Sequence, residues 1–197
     1  MPVVETIRAF IAMNPGNELI ATLDALQRRL DTIFPPRAVR WVHPQHIHLT
    51  LKFLGNVSTQ RLDALRDALT RACAGTEPFE LHAADVGCFP SHARPRVIWV
   101  GLNGEPATLR ALRELQKRID AATQEFSAHT ESREWQPHLT IGRVGNARGR
   151  ELRKIAGALK VEKFVMLGQW PVRSVELMQS TLSPRGAIYS CLTSVVL

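Results

Sequence analysis

One short pattern occurs twice in this chain: a histidine followed two residues later by a threonine, within an alternating polar and apolar run. The first copy holds His48 and Thr50, and the second holds His138 and Thr140. In a β-strand, residues i and i+2 face the same side, roughly 6 to 7 Å apart. The two histidines are 138 − 48 = 90 residues apart in a chain of 197 residues. The repeat therefore predicts two similar lobes, each lending one histidine to a shared cleft.

The apolar residues of the two copies define the opposite face of each strand. Strict alternation places Leu49, Leu51 and Phe53 on the face away from the first histidine, and it turns Leu139 and Ile141 inward in the second copy. We therefore expect each histidine strand to pack one face against a hydrophobic core and to leave the other face open.

Helices and strands alternate along the rest of the chain. The closing strands are joined by short turns, such as the hairpin turn at 183–186, so the sheet is at least partly antiparallel. We predict an α+β fold in which residues 1–197 form a single catalytic domain of two interlocked lobes. Predicted strands cover 3–12, 48–55, 79–89, 96–102, 138–144, 164–169, 174–182 and 188–196, and predicted helices cover 18–34, 58–72, 105–126 and 148–159.

The net charge and the cysteines indicate which partners and which cellular compartment to expect. Lys and Arg (25) exceed Asp and Glu (18), which gives a net charge of +7. Such a surface favours polyanionic partners, nucleic acid foremost, although a solvated basic surface without a partner has the same composition. Cys73, Cys88 and Cys191 are far apart and read as core residues, so we expect a reducing compartment, no disulfide framework and no structural zinc. The longest apolar runs are too short to span a bilayer, so we predict no membrane partner and, together with the cysteine usage, a cytoplasmic protein. We expect a monomer.

Paired histidines and threonines suit phosphoryl chemistry without a metal. One imidazole can accept a proton while the other donates one. Two facing imidazoles could therefore activate water and protonate the departing oxygen of a phosphodiester. The hydroxyls of Thr50 and Thr140 would donate to the non-bridging oxygens, and a cation such as Arg143 would neutralise their charge. Threonine is a poor metal ligand, so we predict neither a metal nor a cofactor.

The two motifs and their surroundings resemble a known family. His-Leu-Thr-Leu-Lys-Phe-Leu-Gly at 48–55 and Pro-His-Leu-Thr-Ile-Gly-Arg at 137–143 are similar to the paired motifs of the two-histidine (2H) phosphoesterases. The segments 40–42, 94–97 and 177–189 narrow the resemblance to the RNA 2′,3′-cyclic phosphodiesterases, also called 2′-5′ RNA ligases. The resemblance covers about residues 5–195.

The resemblance implies a fold, an activity and a role for each site residue. The fold would have two pseudo-symmetric lobes of mainly antiparallel sheet, with helices outside and the active site in the cleft between them. The activity would be hydrolysis of RNA 2′,3′-cyclic phosphate ends to 2′-phosphomonoesters, with reversible 2′-5′ ligation. His48 would be the proton donor to the leaving ribose 3′-oxygen, and His138 would be the base that activates water. Thr50, Thr140 and Arg143 would hold the phosphate.

Three alternatives remain at this point. The same chemistry could act on a small substrate, such as a nucleoside 2′,3′-cyclic phosphate or ADP-ribose 1″,2″-cyclic phosphate. The groove could instead belong to a non-catalytic module that binds RNA ends. A zinc hydrolase built on His43, His46 and His48 is the third. Outside the zinc alternative, His43, His46, His82, His92 and His129 are expected to be structural or exposed. The four tryptophans (Trp41, Trp99, Trp135 and Trp170) are expected to be packing residues rather than platforms for base stacking.

Overall fold

The computed structural model describes residues 5–127, 134–161, 166–183 and 186–197, which contain one nine-stranded sheet and four α-helices. The strands are β1 (Thr6–Met13), β2 (Val39–Trp41), β3 (Leu49–Ser58), β4 (Phe79–Phe89), β5 (Val97–Asn103), β6 (His138–Val144), β7 (Gly168–Val172), β8 (Ser174–Ser183) and β9 (Gly186–Val196). The helices are α1 (Asn17–Ile33), α2 (Leu62–Cys73), α3 (Pro106–Ala122) and α4 (Arg150–Val161).

The sheet has two related halves that meet at its centre. Its strand order is β7-β4-β5-β6-β3-β1-β8-β9, with β2 paired to β6, and every pairing is antiparallel. The unit β1-α1-β3 on one side corresponds to β5-α3-β6 on the other, so the two histidine strands β3 and β6 are neighbours. The hairpin β8-β9 from the end of the chain pairs with β1 from its beginning. The predicted α+β fold is confirmed, and this pairing joins the first and last strands of the described chain in one sheet.

The element boundaries follow local chemistry. β3 begins one residue after His48, because the segment Pro44–His46 forms a 3-10 turn before it. The helix predicted to start at residue 58 starts later: Ser58 caps a 3-10 turn, its Oγ accepting a hydrogen bond of 3.3 Å from the backbone N–H of Gln60, and α2 follows at Leu62. The predicted strand start at 164–165 and turn residues 184–185 lie outside the described residues, as does His129.

The two faces of the sheet differ. The helices cover one face and build the main core, which includes the fully buried Leu49, Leu51, Leu139 and Ile141. The other face, here called the open face, carries His48, Thr50, His138 and Thr140. A second small cluster of apolar side chains lies on this open face: Phe10, Ala12, Met178 and Tyr189.

A β-bulge interrupts both histidine strands at the same place. In β3, Ile11 pairs with Lys52 and Ala12 pairs with Thr50, so Leu51 is the extra residue. In β6, Ile98 pairs with Gly142 and Trp99 pairs with Thr140, so Ile141 is the extra residue. A bulge puts two successive residues on one face and reverses the alternation that follows. Each motif therefore presents histidine, threonine and the residue three positions after the threonine on the open face.

The bulge makes one sequence prediction wrong. Phe53 does not face the core: it is 54% exposed on the open face, and Lys52 is buried at 7%. On the helix side, Lys52 Nζ donates to the backbone oxygen of Asp120 at 2.6 Å, lies 2.8 Å from the Asp120 carboxylate and donates to Gln124 Oε1 at 3.1 Å. The buried ammonium is thereby paired, as a charge in the interior must be.

Two glutamines hold the bulges from the helix side. The side chain of Gln27, in α1, donates to the backbone oxygens of Ile141 (2.8 Å) and Val42 (2.7 Å). The side chain of Gln116, in α3, donates to the backbone oxygen of Leu51 at 3.3 Å. Each glutamine lies ten positions after the first residue of its helix, since 27 − 17 = 116 − 106 = 10. Each half of the chain therefore supplies a helix that braces the bulge of the other half.

The cysteines are free thiols, two of them in the core. Cys73 and Cys88 are buried as predicted, whereas Cys191 is exposed, so its assignment to the core is wrong. The reason is its place on β9, the strand at the edge of the sheet. No helix in the described part of the chain is long and apolar enough to cross a membrane.

Candidate active site

The two motifs meet where the halves of the sheet join. Leu49 of β3 pairs with Leu139 of β6 in antiparallel register. In that register His48 is opposite Thr140, and Thr50 is opposite His138. The two histidines are then diagonal neighbours on the open face, with a separation of about 7 to 8 Å between their backbone positions. The structure thus brings both predicted histidines and both predicted threonines together in one groove.

Both imidazoles are anchored through the same atom. His48 Nδ1 lies 2.8 Å from the backbone oxygen of His46, and His138 Nδ1 lies 2.7 Å from the backbone oxygen of Gln136. A carbonyl oxygen can only accept, so Nδ1 carries the proton in both rings and Nε2 is the nitrogen left for the groove. Nε2 accepts a proton when the ring is neutral and donates one when it is charged, which is the requirement for general acid–base work.

Aromatic rings enclose the two imidazoles. The Phe10 ring lies against His48 with ring centroids 4.8 Å apart, and the Tyr189 ring meets it edge-on at 5.4 Å. Phe89 meets His138 edge-on at 5.0 Å. These rings come from strands β1, β9 and β4, far from the motifs in sequence. They fix the orientation of the imidazoles and exclude water from one side of each.

The enclosure lowers the basicity of both histidines. Burial lowers the pKa of His48 from 6.5 to about 4, against the opposing effect of the hydrogen bond to His46, and the nearby His138 and Arg143 lower it further. Burial, followed by Arg143, also lowers the pKa of His138. Both rings are therefore neutral at pH 7 in the ligand-free groove. An anion bound between them would favour their charged forms and raise both pKa values.

The threonines and Arg143 supply donors beside the imidazoles. Within the described residues, neither the Thr50 nor the Thr140 hydroxyl has a protein hydrogen-bond partner, so both are available to a ligand. Trp135 Nε1 donates to the backbone oxygen of Thr50 at 2.9 Å and so ties the segment before β6 to β3. Arg143 is exposed, and the bulge at Ile141 turns it to the open face. The groove can thus surround an anion with two imidazoles, two hydroxyls and one guanidinium.

The remaining histidines have other environments. The His46 ring lies 5.3 Å from the His43 ring and 5.0 Å from the Tyr189 ring, and its backbone anchors His48. His82 lies 3.2 Å from the Glu80 carboxylate, near the start of β4. Among the described residues, no three His, Cys, Asp or Glu side chains are arranged to hold a metal ion. The triad His43, His46 and His48 of the zinc alternative is therefore not assembled.

Trp41 and Trp170 are packing residues, as expected. Trp170 is buried, and Trp41 stacks on Phe34 with ring centroids 5.9 Å apart. Trp99 lies on the open face, 6.5 Å from the His138 ring, and covers Gly87 so closely that a Cβ there would overlap the indole.

Comparison with known families agrees with this geometry. The family model described as "LigT like Phosphoesterase" matches residues 15–99 and again residues 104–189, once for each half of the chain. An RNA 2′,3′-cyclic phosphodiesterase of Methanothermobacter thermautotrophicus is 34% identical over 185 residues, which are 93% of this chain and 95% of that protein. An RNA 2′,3′-cyclic phosphodiesterase of Aeropyrum pernix is 34% identical over 157 residues, 80% of this chain and 85% of its own.

Solved structures share the fold. A crystal structure of a Thermus thermophilus protein superposes with a TM-score of 0.79 at 25% identity and covers 97% of this chain and 98% of its own. The crystal structure of Escherichia coli LigT with 3′-AMP superposes with a TM-score of 0.76 at 24% identity and covers 98% of this chain and 99% of its own. These likenesses extend over the whole sheet and its helices.

Proposed function

The chain belongs to the LigT-like phosphoesterase family, and on that premise we propose that it hydrolyses RNA 2′,3′-cyclic phosphate ends to 2′-phosphomonoesters by two-histidine acid–base chemistry. The observation that carries the proposal is the register of Leu49 with Leu139, since it makes His48 and His138 diagonal neighbours on one face of the sheet. The relatives named RNA 2′,3′-cyclic phosphodiesterase support the choice of substrate.

The proposed reaction follows from the donors in the groove. His138 Nε2 takes a proton from water, whose oxygen attacks phosphorus. The bond from phosphorus to the ribose 3′-oxygen breaks in line, and His48 Nε2 gives its proton to that oxygen. The products are a 3′-hydroxyl and a 2′-phosphate, and the proton gained by His138 replaces the one lost by His48 through solvent. The hydroxyls of Thr50 and Thr140 and the guanidinium of Arg143 stabilise the charge on the non-bridging oxygens.

The same steps give 2′-5′ ligation. If the 5′-hydroxyl of a second RNA replaces water, the 2′-oxygen keeps the phosphorus and a 2′-5′ linkage forms. The reaction is reversible because one phosphodiester replaces another.

A bound phosphate anion favours the protonated form of His48 that the mechanism needs, and the proton comes from solvent. Burial keeps the pKa of His48 near 4 in the free groove. A bound phosphodiester anion raises that pKa, so proton uptake accompanies substrate binding and loads the proton donor.

We also propose that residues 1–197 act as a single catalytic domain, as a monomer, in the cytoplasm. The main core runs without interruption through both halves, which supports one folding unit. Three free thiols suit a reducing compartment.

Product analysis tests the proposed function. A short RNA with a 2′,3′-cyclic phosphate end is incubated with the protein in EDTA, and the product is resolved into 2′- and 3′-phosphate. We expect a 2′-phosphate, because His48 serves the 3′-oxygen. A 3′-phosphate would reverse the assigned direction, and the absence of hydrolysis by the wild-type protein would overturn the function.

A further inference from the structure

Trp99 lies on the open face of the sheet, directly beside the second histidine motif. It pairs with Thr140 across β5 and β6, so the two side chains share one face. Its indole is 6.5 Å from the His138 ring between centroids. The equivalent position of the first half, the residue paired with Thr50, is Ala12. The pseudo-symmetric site therefore has a large aromatic surface on the His138 side and only a methyl group at the matching place beside Thr50.

Two glycines let this indole lie flat on the sheet. Gly87 is the partner of Trp99 in β4, and Gly101 follows Trp99 by two residues in β5, so both are on the open face. A Cβ at Gly87 would overlap the six-membered ring of Trp99, and a Cβ at Gly101 would lie 3.4 Å from its Cζ3. The ring therefore covers the backbone where side chains are missing, with one face against the sheet and the other directed away from it. Trp99 as a whole is partly exposed.

The polar group of Trp99 does not explain this position. Its Nε1 is buried and has no hydrogen-bond partner among the described residues. A buried tryptophan usually places this N–H on an acceptor, and an unpaired donor costs free energy. The Phe89 ring lies 5.3 Å from the indole and meets the His138 ring edge-on at 5.0 Å. Aromatic surface, rather than a hydrogen bond, therefore fixes Trp99 in a wall of rings beside His138.

The proposed mechanism decides which part of a substrate meets this wall. His138 serves the attacking oxygen, and His48 serves the ribose 3′-oxygen that leaves. In 2′-5′ ligation the attacking oxygen is the 5′-hydroxyl of a second RNA, so the first nucleoside of that RNA lies on the His138 side. Every base has a flat face that can stack on an aromatic ring, whatever the sequence.

We propose that Trp99 stacks on the base of the nucleoside whose 5′-oxygen joins the phosphate in 2′-5′ ligation or leaves it in the reverse reaction. Trp99 is then a specificity residue for the ligation partner. Hydrolysis does not depend on this contact, because water takes the place of that nucleoside. The inference rests on the proposed function, since the roles of the two histidines assign the side on which each nucleoside lies.

The test uses the reverse of ligation, because cleavage needs only one substrate. In a 2′-5′-linked dinucleotide the 3′-hydroxyl attacks phosphorus and gives its proton to His48. The bond from phosphorus to the 5′-oxygen breaks, and that oxygen takes a proton from His138. The products are a nucleoside 2′,3′-cyclic phosphate and a nucleoside with a 5′-hydroxyl. A nucleoside 2′-(methyl phosphate) undergoes the same step but releases methanol, so it lacks the base that would meet Trp99.

The variant Trp99→Leu should separate these substrates. Its kcat/KM for the dinucleotide should fall by roughly 5- to 150-fold, as for one lost stack between a base and an aromatic ring. Its kcat/KM for the methyl ester, and for hydrolysis of the nucleoside 2′,3′-cyclic phosphate, should stay close to the wild-type values, which also shows that the variant is folded. Trp99→Phe keeps a ring and should give an intermediate loss on the dinucleotide.

A binding measurement separates stacking from catalysis. The 3′-deoxy analogue of the dinucleotide cannot react, because it has no 3′-hydroxyl. Its Kd should rise in Trp99→Leu by a similar factor, whereas the Kd of the 3′-deoxynucleoside 2′-(methyl phosphate) should not change. A merely structural role of Trp99 would weaken both ligands alike.

Trp41→Leu is the matched control. Trp41 is also partly exposed, but it stacks on Phe34 on the covered face of the sheet. This variant should leave the ratio of kcat/KM between the dinucleotide and the methyl ester unchanged. An equal loss on all substrates in Trp99→Leu, or a full rate on the dinucleotide, would overturn the stacking role.

The wild-type protein distinguishes failure of this inference from failure of the proposed function. Hydrolysis of the cyclic phosphate without cleavage of any 2′-5′ linkage would overturn the inference and leave the hydrolase function standing. Activity on none of the substrates would overturn both.

Discussion

Gln27 and Gln116 occupy equivalent positions in α1 and α3, and each donates to the backbone oxygen of the bulged residue in the histidine strand of the opposite half. The bulges at Ile141 and Leu51 decide which side chains reach the open face after each threonine. The two helices therefore shape the site from the opposite face of the sheet.

Replacement of Gln27 tests this bracing. Gln27→Met should lower the free energy of unfolding by about 1 to 3 kcal/mol, because the carbonyls of Val42 and Ile141 lose a buried donor. It should also lower kcat/KM, because a relaxed bulge no longer directs Arg143 to the open face. Chemical denaturation and steady-state kinetics measure the two effects, with Gln60→Met at an exposed position as the control.

A double-mutant cycle separates positioning from simple destabilisation. If Gln27 acts through Arg143, Arg143→Gln should cost less activity in the Gln27→Met background than in the wild type. Equal costs in both backgrounds would leave Gln27 with a structural role alone.

The pH profile follows from the two lowered pKa values. The proposed active form has His48 charged and His138 neutral. It is one of the two singly protonated forms of the pair, which together are most populated between the two pKa values. Since the pKa of His48 is about 4 and that of His138 lies below 6.5, kcat/KM should peak between these limits and fall on both sides. A plateau that extends through pH 8 would contradict the assignment of these two groups.

Arg143 should affect both the position of this profile on the pH axis and its maximum. Arg143→Gln removes a cation that lowers the pKa of both histidines, so both limbs should shift to higher pH. The maximum of kcat/KM should also fall by about 10²- to 10³-fold, as for a lost donor to a developing negative charge. Arg110→Gln, an exposed arginine on α3, is the control and should change neither. A uniform loss without a shift would place Arg143 away from the imidazoles.

His48 should make the fold sensitive to acid. Its pKa is about 4 in the folded protein and 6.5 as a free side chain, so the unfolded chain binds the proton more tightly. Stability from this group is complete above pH 6.5 and is lost as the pH falls towards 4, by roughly 3 kcal/mol in total. His48→Gln should reduce the loss of the free energy of unfolding in urea across this range, whereas Arg110→Gln, at an exposed position on α3, should not. The raised pKa of Glu176 acts in the opposite direction and remains in both variants.

Gly87 tests the packing around His138. Gly87→Ala adds a methyl group where the Trp99 indole lies, which should cost about 1 to 3 kcal/mol of stability and displace the ring next to His138. The Tm in thermal unfolding and the turnover rate should both fall. Gly157→Ala is the matched control: it lies exposed in α4 with no atom within 4 Å of the added Cβ, and it should stabilise by about 0.5 to 1 kcal/mol. A wild-type Tm in Gly87→Ala would show that Trp99 moves freely.

The sequence predicts the parts of the site that depend on local periodicity. A period of two residues suffices to put His48 with Thr50, and His138 with Thr140, on one face. The same rule fails at Phe53, because the pattern of alternating residues in the sequence does not show the extra residue that the bulge inserts into β3. Alternation alone would also turn Arg143 away from His138. The prediction of Arg143 as a site residue rests instead on its charge and on the family resemblance.

The contacts missed from sequence are long-range. Gln27 is 114 residues from its partner Ile141, and Phe10 and Tyr189 come from opposite ends of the chain. The residue types alone do not show which partners these side chains contact; that depends on the order of the strands. One signal was available: the two glutamines are 116 − 27 = 89 residues apart, almost the 90-residue spacing of the histidines.

The most direct test of the account is whether the two imidazoles act on one phosphorus as a unit. His48→Gln, His138→Gln and the double variant are compared in single-turnover hydrolysis of a 2′,3′-cyclic-phosphate-ended RNA in EDTA. Each single variant should lose about 10²- to 10⁴-fold in rate. The double variant should lose little more than the worse single variant, because paired groups are not additive. A single variant with the wild-type rate, or losses that multiply in the double variant, would contradict the shared groove.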